Sequence, residues 1–333
     1  MTIEVRSAGF LSTVQDLGRL RHRQDGVSPS GALDPHALTI ANLVVGNDAA
    51  AAGLEMTFGN LRLVFSDPRL IGWCGGDFAV EAAGENVPPG HAALIRAGEE
   101  FRVNAPASGG RSWMAVSGGI DVPVVLGSRS TDLRSGFGGL GGRALVDGDL
   151  LPLPPQTNNA KRFAEQLEPS RVSNWSAPSE WAITKPRHAF LRVLRGADWN
   201  RFDRNATICL LHESFNVTNE SDRMGVRLDG PAIARTGAEL LSEPVAPGTI
   251  QVPPGGKPIV LLGDCQTIGG YPKIAHVITI DLPAAAQLSA GDVVRFVEVT
   301  AAEAQALLVE RERELAWFRA GVALKFAWTS PSI

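Results

Sequence analysis

The residue types that could do chemistry gather in three places along the chain. The densest is Gly263-Asp264-Cys265-Gln266-Thr267-Ile268-Gly269-Gly270-Tyr271-Pro272-Lys273, which follows the apolar run PIVLL and holds the only tyrosine. A carboxylate (Asp264), an amide (Gln266), a hydroxyl (Thr267), a phenol (Tyr271) and an ammonium (Lys273) share one short stretch hinged on two glycines. Such a set could position a small amide-bearing substrate and stabilise a developing oxyanion, while Gly269-Gly270 lets backbone approach a ligand closely. A tight turn with a structural aspartate is the plainer alternative. Function is favoured because loops carried by rigid strands are where sites concentrate. The second place is Ser221-Asp222-Arg223-Met224-Gly225-Val226-Arg227-Leu228. Arg223 and Arg227, four apart, could grip a carboxylate or phosphate through paired hydrogen bonds, and surface salt bridges explain them equally well. The third joins Thr13-Val14-Gln15-Asp16-Leu17-Gly18-Arg19 with Ser28-Pro29-Ser30-Gly31-Ala32-Leu33-Asp34, where turn and capping chemistry accounts for the same residues.

Other motifs point away from familiar chemistries. Gly136-Phe137-Gly138-Gly139-Leu140-Gly141 fits the glycine spacing of a dinucleotide loop, but neither the strand before it nor the helix after it is legible. It reads as a loop, with a glycine lid over a pocket as the alternative. Gly256-Lys257-Pro258 lacks the rest of a phosphate-binding loop. The six histidines have no metal-ligand spacing, so no protein-bound metal is expected, and no nucleophile elbow is present.

The elements that must position these groups are mainly strands. SGALDPHALTIANLVVGN predicts a helix over about 35–45: Asp34 caps it, Pro35 suits its first turn and Gly46 its end. From 54 to 153, short β-like runs alternate with turns, which suggests a barrel or sandwich. Residues 154–188 are polar and contain Pro and Ser, so they read as a linker. The stretches FLRVLRG, ATICLL, FNVT, MGVRLDG, TIQVP, PIVLL, AHVITID and DVVRFVEV then predict a second strand-rich region. Thr300-Ala301-Ala302-Glu303 is a capping box for a C-terminal helix, expected to pack Leu307, Leu308, Leu315, Trp317 and Phe318. The expected domains are 1–165 and 166–333.

The bulk numbers narrow the partners. Lys+Arg 31 against Asp+Glu 35 gives a net charge of −4, and no basic tract could track a phosphate backbone, so nucleic acid is not expected. No run is long and apolar enough for a membrane span, and no signal-peptide pattern opens the chain. Cys74, Cys209 and Cys265 are odd in number and far apart, as in reduced cytoplasmic proteins.

Taken in order, TVQDLGR, GVSPSGALDPHALTIANLVVGN, LEMTFG, SGGIDVPVVLGSRSTDL, SDRMGVRL and ELLSEPVAPGTIQVPPGGKPIVLLGDCQTIGGYPKIAHVI resemble the biotin-dependent carboxyltransferase family, also called the allophanate hydrolase subunit 2 family. The resemblance runs from about residue 3 to 310 and is nearest to the branch formed by the C subunits of 5-oxoprolinases. It implies a mainly β fold of tandem cyclophilin-like β-barrels with few helices, one of them C-terminal. It also implies a hydrolase component that acts with a sister B subunit (allophanate hydrolase subunit 1 family) and an A subunit, opening 5-oxoproline to glutamate at the expense of ATP. In the related urea carboxylases the equivalent region moves a carboxyl group from carboxybiotin, carried by a partner, to urea. A regulatory protein that antagonises a kinase inhibitor is a third reading. Relatives carry SGAMD and QTTGGYP where this chain has Leu33 and Ile268. On this reading Asp264 orients or deprotonates an amide N–H, Lys273 and Tyr271 stabilise oxyanion charge, and Arg223 and Arg227 hold a carboxylate or phosphate. Ser28, Ser30, Asp34, Gln266 and Thr267 position the substrate. Alanine at Asp264 or Lys273 is expected to remove activity and leave the fold intact.

Overall fold

Ten strands, read from a computed structural model that describes residues 1–183, 188–235 and 240–327, build the first half of the chain. They are β1 (Thr2–Ala8), β2 (Leu11–Gln15), β3 (Gly53–Thr57), β4 (Leu61–Phe65), β5 (Arg69–Ala82), β6 (Glu85–Asn86), β7 (His91–Ile95), β8 (Glu100–Val116), β9 (Leu150–Pro152) and β10 (Val172–Ser176). They form one sheet, with the path β10-β7-β5-β8-β4-β1-β9 and with β2, β3 and β6 joined at its sides. The long strands β5 and β8 pair from Ile71↔Val116 to Ala82↔Phe101, and the register shifts between Gly75 and Val80. Bulges of this kind bend a strand and increase its twist, so two strands curve around the core of Phe65, Trp73, Phe101 and Met114.

The helix α1 (Pro35–Val44) lies where the sequence places it. The Asp34 carboxylate accepts from the Ala37 N–H at 2.8 Å, Pro35 opens the first turn, and Gly46 follows at φ +75°. Its whole stripe from Ala37 to Val44 is buried. Gly72 on β5 admits the helix, since a Cβ there would stand 2.5 Å from Val44 Cγ2.

Two expectations for this half are corrected. The stretch 154–183 is folded: it forms α2 (Asn158–Gln166), β10 and α3 (Ser179–Ala182), while 184–187 lie outside the described residues. Ala160, Phe163 and Ala164 form a buried face at helical spacing, which the surrounding polar residues disguise. The glycine run 136–142 is a packed turn rather than a dinucleotide loop. Asp132 bridges to Phe137, and Gly138 and Gly139 press against Ser130 and Thr131.

The second half builds β11 (His188–Arg195), β12 (Phe215–Val217), β13 (Gly225–Asp229), β14 (Glu243–Pro244), β15 (Thr249–Gln251), β16 (Ile259–Leu261), β17 (Ile268–Gly269), β18 (Lys273–Val277) and β19 (Val293–Glu298). Seven of them close a barrel in the order β11-β18-β15-β16-β13-β12-β19. An odd ring cannot be antiparallel throughout, and the one parallel seam is β11 with β19. Leu191, Val226, Ile250, Val260, Ile274, Val294 and the ring pair Phe215–Phe296 are all at most 1% exposed. The strand expected at ATICLL is instead helix α4 (Arg204–His212), because Asp203 caps it by accepting from the Ala206 N–H at 2.8 Å. After it come the short α5 (Leu282–Gln287) and the long α6 (Ala301–Ala327).

The capping box of α6 forms as read: Thr300 N–H donates to Glu303 at 2.7 Å and Glu303 N–H donates to the Thr300 hydroxyl at 3.2 Å. Its buried residues are Leu315, Val322 and Phe326, with Phe318 against Trp181 and Phe326 against Phe163. Trp317, expected to pack, is 66% exposed. By compactness the chain divides into two units, one of residues 1–19, 30–183 and 314–327, the other of 20–29, 188–235 and 240–313. The expected division at 165/166 is simpler than this threaded arrangement.

Candidate functional site

The end of the barrel where β15 finishes and β18 begins gathers the polar residues of the second unit. Lys273 opens β18 opposite Gln251 of β15, at a point where the register shifts between Ile250 and Gln251. Its side chain is only 10% exposed and its ammonium lies between two carboxylates. Asp198 Oδ2 stands 3.3 Å from Nζ and also accepts the Lys273 N–H at 2.9 Å; Glu243 pairs with Nζ from the other side. Burial works against the charged ammonium, but the Glu243 and Asp198 carboxylates more than offset it, so the Lys273 pKa stands above the ordinary lysine value. Lys273 is therefore a fixed cation at neutral pH and not a proton carrier.

Local sequence explains why Asp198 reaches it. Gly196 follows β11, and its backbone lies so close to the Lys273 carbonyl that a Cβ would overlap that oxygen. Gly196 N–H donates to Ile274 O at 2.9 Å and Asp198 N–H to Lys273 O at 3.1 Å, which fixes the turn against β18. Glu243 comes from the two-residue ribbon of β14 and β17, in which it faces Gly269. A Cβ on Gly269 would stand 2.7 Å from the Gln251 amide, so the glycine makes room for that side chain. Gln251 is 1% exposed, donates to Tyr271 O at 3.2 Å and accepts from Gln266 at 3.4 Å.

Asp264 and Arg223 meet, and they meet as a buried ion pair. Arg223 Nε and Nη2 donate to Asp264 Oδ2 and Oδ1 at 2.8 and 3.1 Å, with both side chains 5% exposed. Backbone bonds clip the same two turns together: Asp264 N–H donates to Arg223 O at 3.1 Å and Leu262 N–H to Met224 O at 2.9 Å. An aspartate held in this way is part of the frame that joins the two turns. Arg227 does not join Arg223. It lies on β13 with its side chain 52% exposed, 3.9 Å from Glu220. Ser28 reaches the opening stretch directly, donating to Gly263 O at 3.2 Å. Arg23 donates to Val245 O nearby. Cys265 is fully buried, which pushes its thiol up to about 11 although Arg23 acts in the opposite sense. Tyr271 is 44% exposed, Ile268 on β17 58%, and Leu241, two residues before β14, 89%.

Ser30 and Asp34 belong to the first unit and serve its backbone. Ser30 and Gly31 both have positive φ, and Ala32 N–H donates to Asp16 O at 2.9 Å. Asp16 explains the TVQDLGR motif. Its carboxylate accepts from Ser128 and Ser130 hydroxyls at 2.6 Å each, from Gly18 N–H at 2.8 Å and from Arg129 N–H at 2.6 Å. A carboxylate with four donors is a joint between the 13–19 and 127–133 segments. Glu55 plays a similar part, accepting from Leu33 N–H and Trp113 Nε1 at 2.9 Å each.

Sequence reading missed Asp198, Glu243 and Gln251. The signal for Asp198 was present: Arg195-Gly196-Ala197-Asp198 places a glycine and a carboxylate at a strand end, the same signature that singled out Gly263-Asp264. Among the described residues, no group of three or more His, Cys, Asp or Glu could hold a metal ion, and no helix is long and apolar enough to cross a membrane.

Comparison with known proteins agrees with this architecture. The chain is 39% identical over 319 residues to the C subunit of 5-oxoprolinase from Escherichia coli, covering 95% of this chain and 98% of that one. It is 32% identical to the C subunit of 5-oxoprolinase from Haemophilus influenzae, over 93% of this chain and 95% of that one. The crystal structure of the Kluyveromyces lactis urea carboxylase superposes with a TM-score of 0.86 at 26% identity, over 96% of this chain but 29% of that larger protein. The model of the carboxyltransferase domain, subdomain A and B, matches residues 25–298. The chain belongs to this carboxyltransferase family.

Proposed function

We propose that this chain serves in an ATP-dependent 5-oxoprolinase complex that opens 5-oxoproline to glutamate, together with a sister B subunit and an A subunit. We place the cyclic amide at the Lys273 end of the barrel. The observation that carries this reading is the collinear likeness to the C subunit of the Escherichia coli 5-oxoprolinase over 98% of that protein's length. The local chemistry suits it. The proposed substrate carries a carboxylate beside its amide, and the Lys273 ammonium in its largely buried seat is a cation able to receive one. Tyr271, half-exposed at the rim, donates a hydrogen bond. The Gln251–Gln266 amides orient the ring, with Thr267, Ser28 and the Asp264 turn as their support. Asp264, paired with Arg223, supports the turn that carries Gln266 and Thr267.

The arginines, expected to hold a carboxylate or phosphate, lie apart: Arg223 is engaged by Asp264, and Arg227 lies exposed on β13. No step through ATP is therefore assigned to this chain, and nucleotide handling is proposed for its partners.

The alternative of carboxyl transfer from a partner's carboxybiotin to urea draws on the urea carboxylase superposition. One screen separates the two. The chain is purified with its sister subunits and given ATP with 5-oxoproline, urea or guanidine. Glutamate and ADP are expected in equal amounts with 5-oxoproline alone. Carboxylation of urea that depends on a biotinylated protein would instead establish the alternative.

A further inference from the structure

The two carboxylates on Lys273 are held very differently. Asp198 is 8% exposed and accepts from the Lys273 N–H and ammonium, with Arg201 3.3 Å away on its other oxygen. Glu243 is 55% exposed and rides on a ribbon of only two residue pairs. So short a ribbon has little stability of its own. Displacing Glu243 breaks one half-exposed ion pair, whereas displacing Asp198 would dismantle the turn that supports β18. Two positions along from the Glu243–Gly269 pair, Leu241, 89% exposed, and Tyr271, 44% exposed, flank the seat as an apolar rim, while Ile268, paired with Pro244, lies on the other face of the ribbon. Gly270, next to Tyr271, faces Leu240 and Ser242, a Cβ there meeting them at ordinary contact distances of 3.5 and 3.6 Å.

We propose that Lys273 is a carboxylate seat which Glu243 fills in the resting protein, and that a small carboxylate with a compact apolar body binds by taking Glu243's place. The identity of that carboxylate as 5-oxoproline rests on the function proposed above; the charge and size of the ligand rest on the seat and its rim. Glu243 is then a built-in competitor. It lowers the apparent affinity by the fraction of time that it occupies the ammonium.

The test is a titration of the full chain, as wild type, Glu243→Gln and Lys273→Met, followed by calorimetry or NMR. The probes are 5-oxoproline, butyrate, inorganic phosphate and the neutral lactam 2-pyrrolidinone. Glu243→Gln alters a side chain that is more than half exposed. It should bind 5-oxoproline and butyrate about fivefold more tightly than wild type, the scale of one half-exposed ion pair. Its affinity for 2-pyrrolidinone should not change. Lys273→Met should lose at least about tenfold for both carboxylates, since a partly buried cation is removed from its ligand. The proposal is overturned if Glu243→Gln leaves carboxylate binding unchanged or weaker, if the neutral lactam gains equally, if phosphate alone gains, or if no variant binds a carboxylate. The butyrate arm separates the two readings: a gain for butyrate without turnover of 5-oxoproline by the assembled complex keeps the seat and rejects the proposed reaction.

Discussion

Removing the Asp264 carboxylate leaves the Arg223 guanidinium in a place where it is 4% exposed and where Asp264 supplied an acceptor to two of its nitrogens, at 2.8 and 3.1 Å. Breaking one side of a buried, hydrogen-bonded ion pair costs about 3–5 kcal/mol, because the buried charge loses a partner that offset its desolvation. Asp264→Ala should therefore lower the unfolding free energy of the barrel unit by about that much, a large share of a typical domain's stability of ~5–15 kcal/mol. Replacing both partners, as Arg223→Met with Asp264→Leu, removes the buried charges together and should come within about 1–2 kcal/mol of wild type. Urea unfolding of wild type, both single variants and the double variant closes a double-mutant cycle, and the expected coupling is at least about 2 kcal/mol. A cost below about 1 kcal/mol for Asp264→Ala, or a double variant as unstable as the sum of the singles, would refute this reading of the pair. Activity of the double variant then separates frame from chemistry. A stable but inactive double variant places Asp264 against the substrate, and a stable, active one makes it wholly structural.

Three further outcomes follow from the same structure. Burial holds the His276 imidazole below its ordinary value of 6.5, so the unfolded chain takes up the proton first. The stability this group contributes is full above pH 6.5 and is lost as pH falls through the folded value; His276→Gln should flatten the loss of stability between about pH 7 and 5 in thermal melts. Gly196→Ala should cost about 2–3 kcal/mol, because its Cβ overlaps the Lys273 carbonyl, and it should weaken 5-oxoproline turnover by displacing Asp198. Phe326→Ala, which empties the contacts with Phe163 and Gly46, should cost about 3–5 kcal/mol in the first unit without changing ligand binding at Lys273.

Local signals in the sequence were the legible ones. Asp34, Pro35 and Gly46 bracket α1 to within a residue of its end, and Thr300 with Glu303 announces α6, since caps are written in adjacent residues. Most of the strands were legible as alternating runs between turns. What failed were judgements that depend on distant partners. ATICLL is the exception, a local signal overlooked: it is apolar enough for a strand, but the Asp203 cap just before it tips it to a helix. The 154–183 stretch reads as a linker until Phe163 and Trp181 meet the rings of α6. At the site, Asp264 reads as an available carboxylate because its partner Arg223 is 41 positions away. Glu243 and Asp198 lie 30 and 75 positions from Lys273, so no local pattern links them to it. The closure of the barrel brings them together, and it depends on the parallel seam of β11 with β19, which no periodicity encodes.

Lys273 offers the most direct test of where the substrate sits. In the complex reconstituted with its sister subunits, kcat/KM for ATP-dependent opening of 5-oxoproline should fall at least about tenfold in Lys273→Met, the scale of losing a charge-assisted hydrogen bond to the substrate carboxylate. Lys273→Arg should recover part of that loss, because the charge returns with a different shape. A Lys273→Met complex that turns over at the wild-type rate would contradict the placement of the substrate at this end of the barrel.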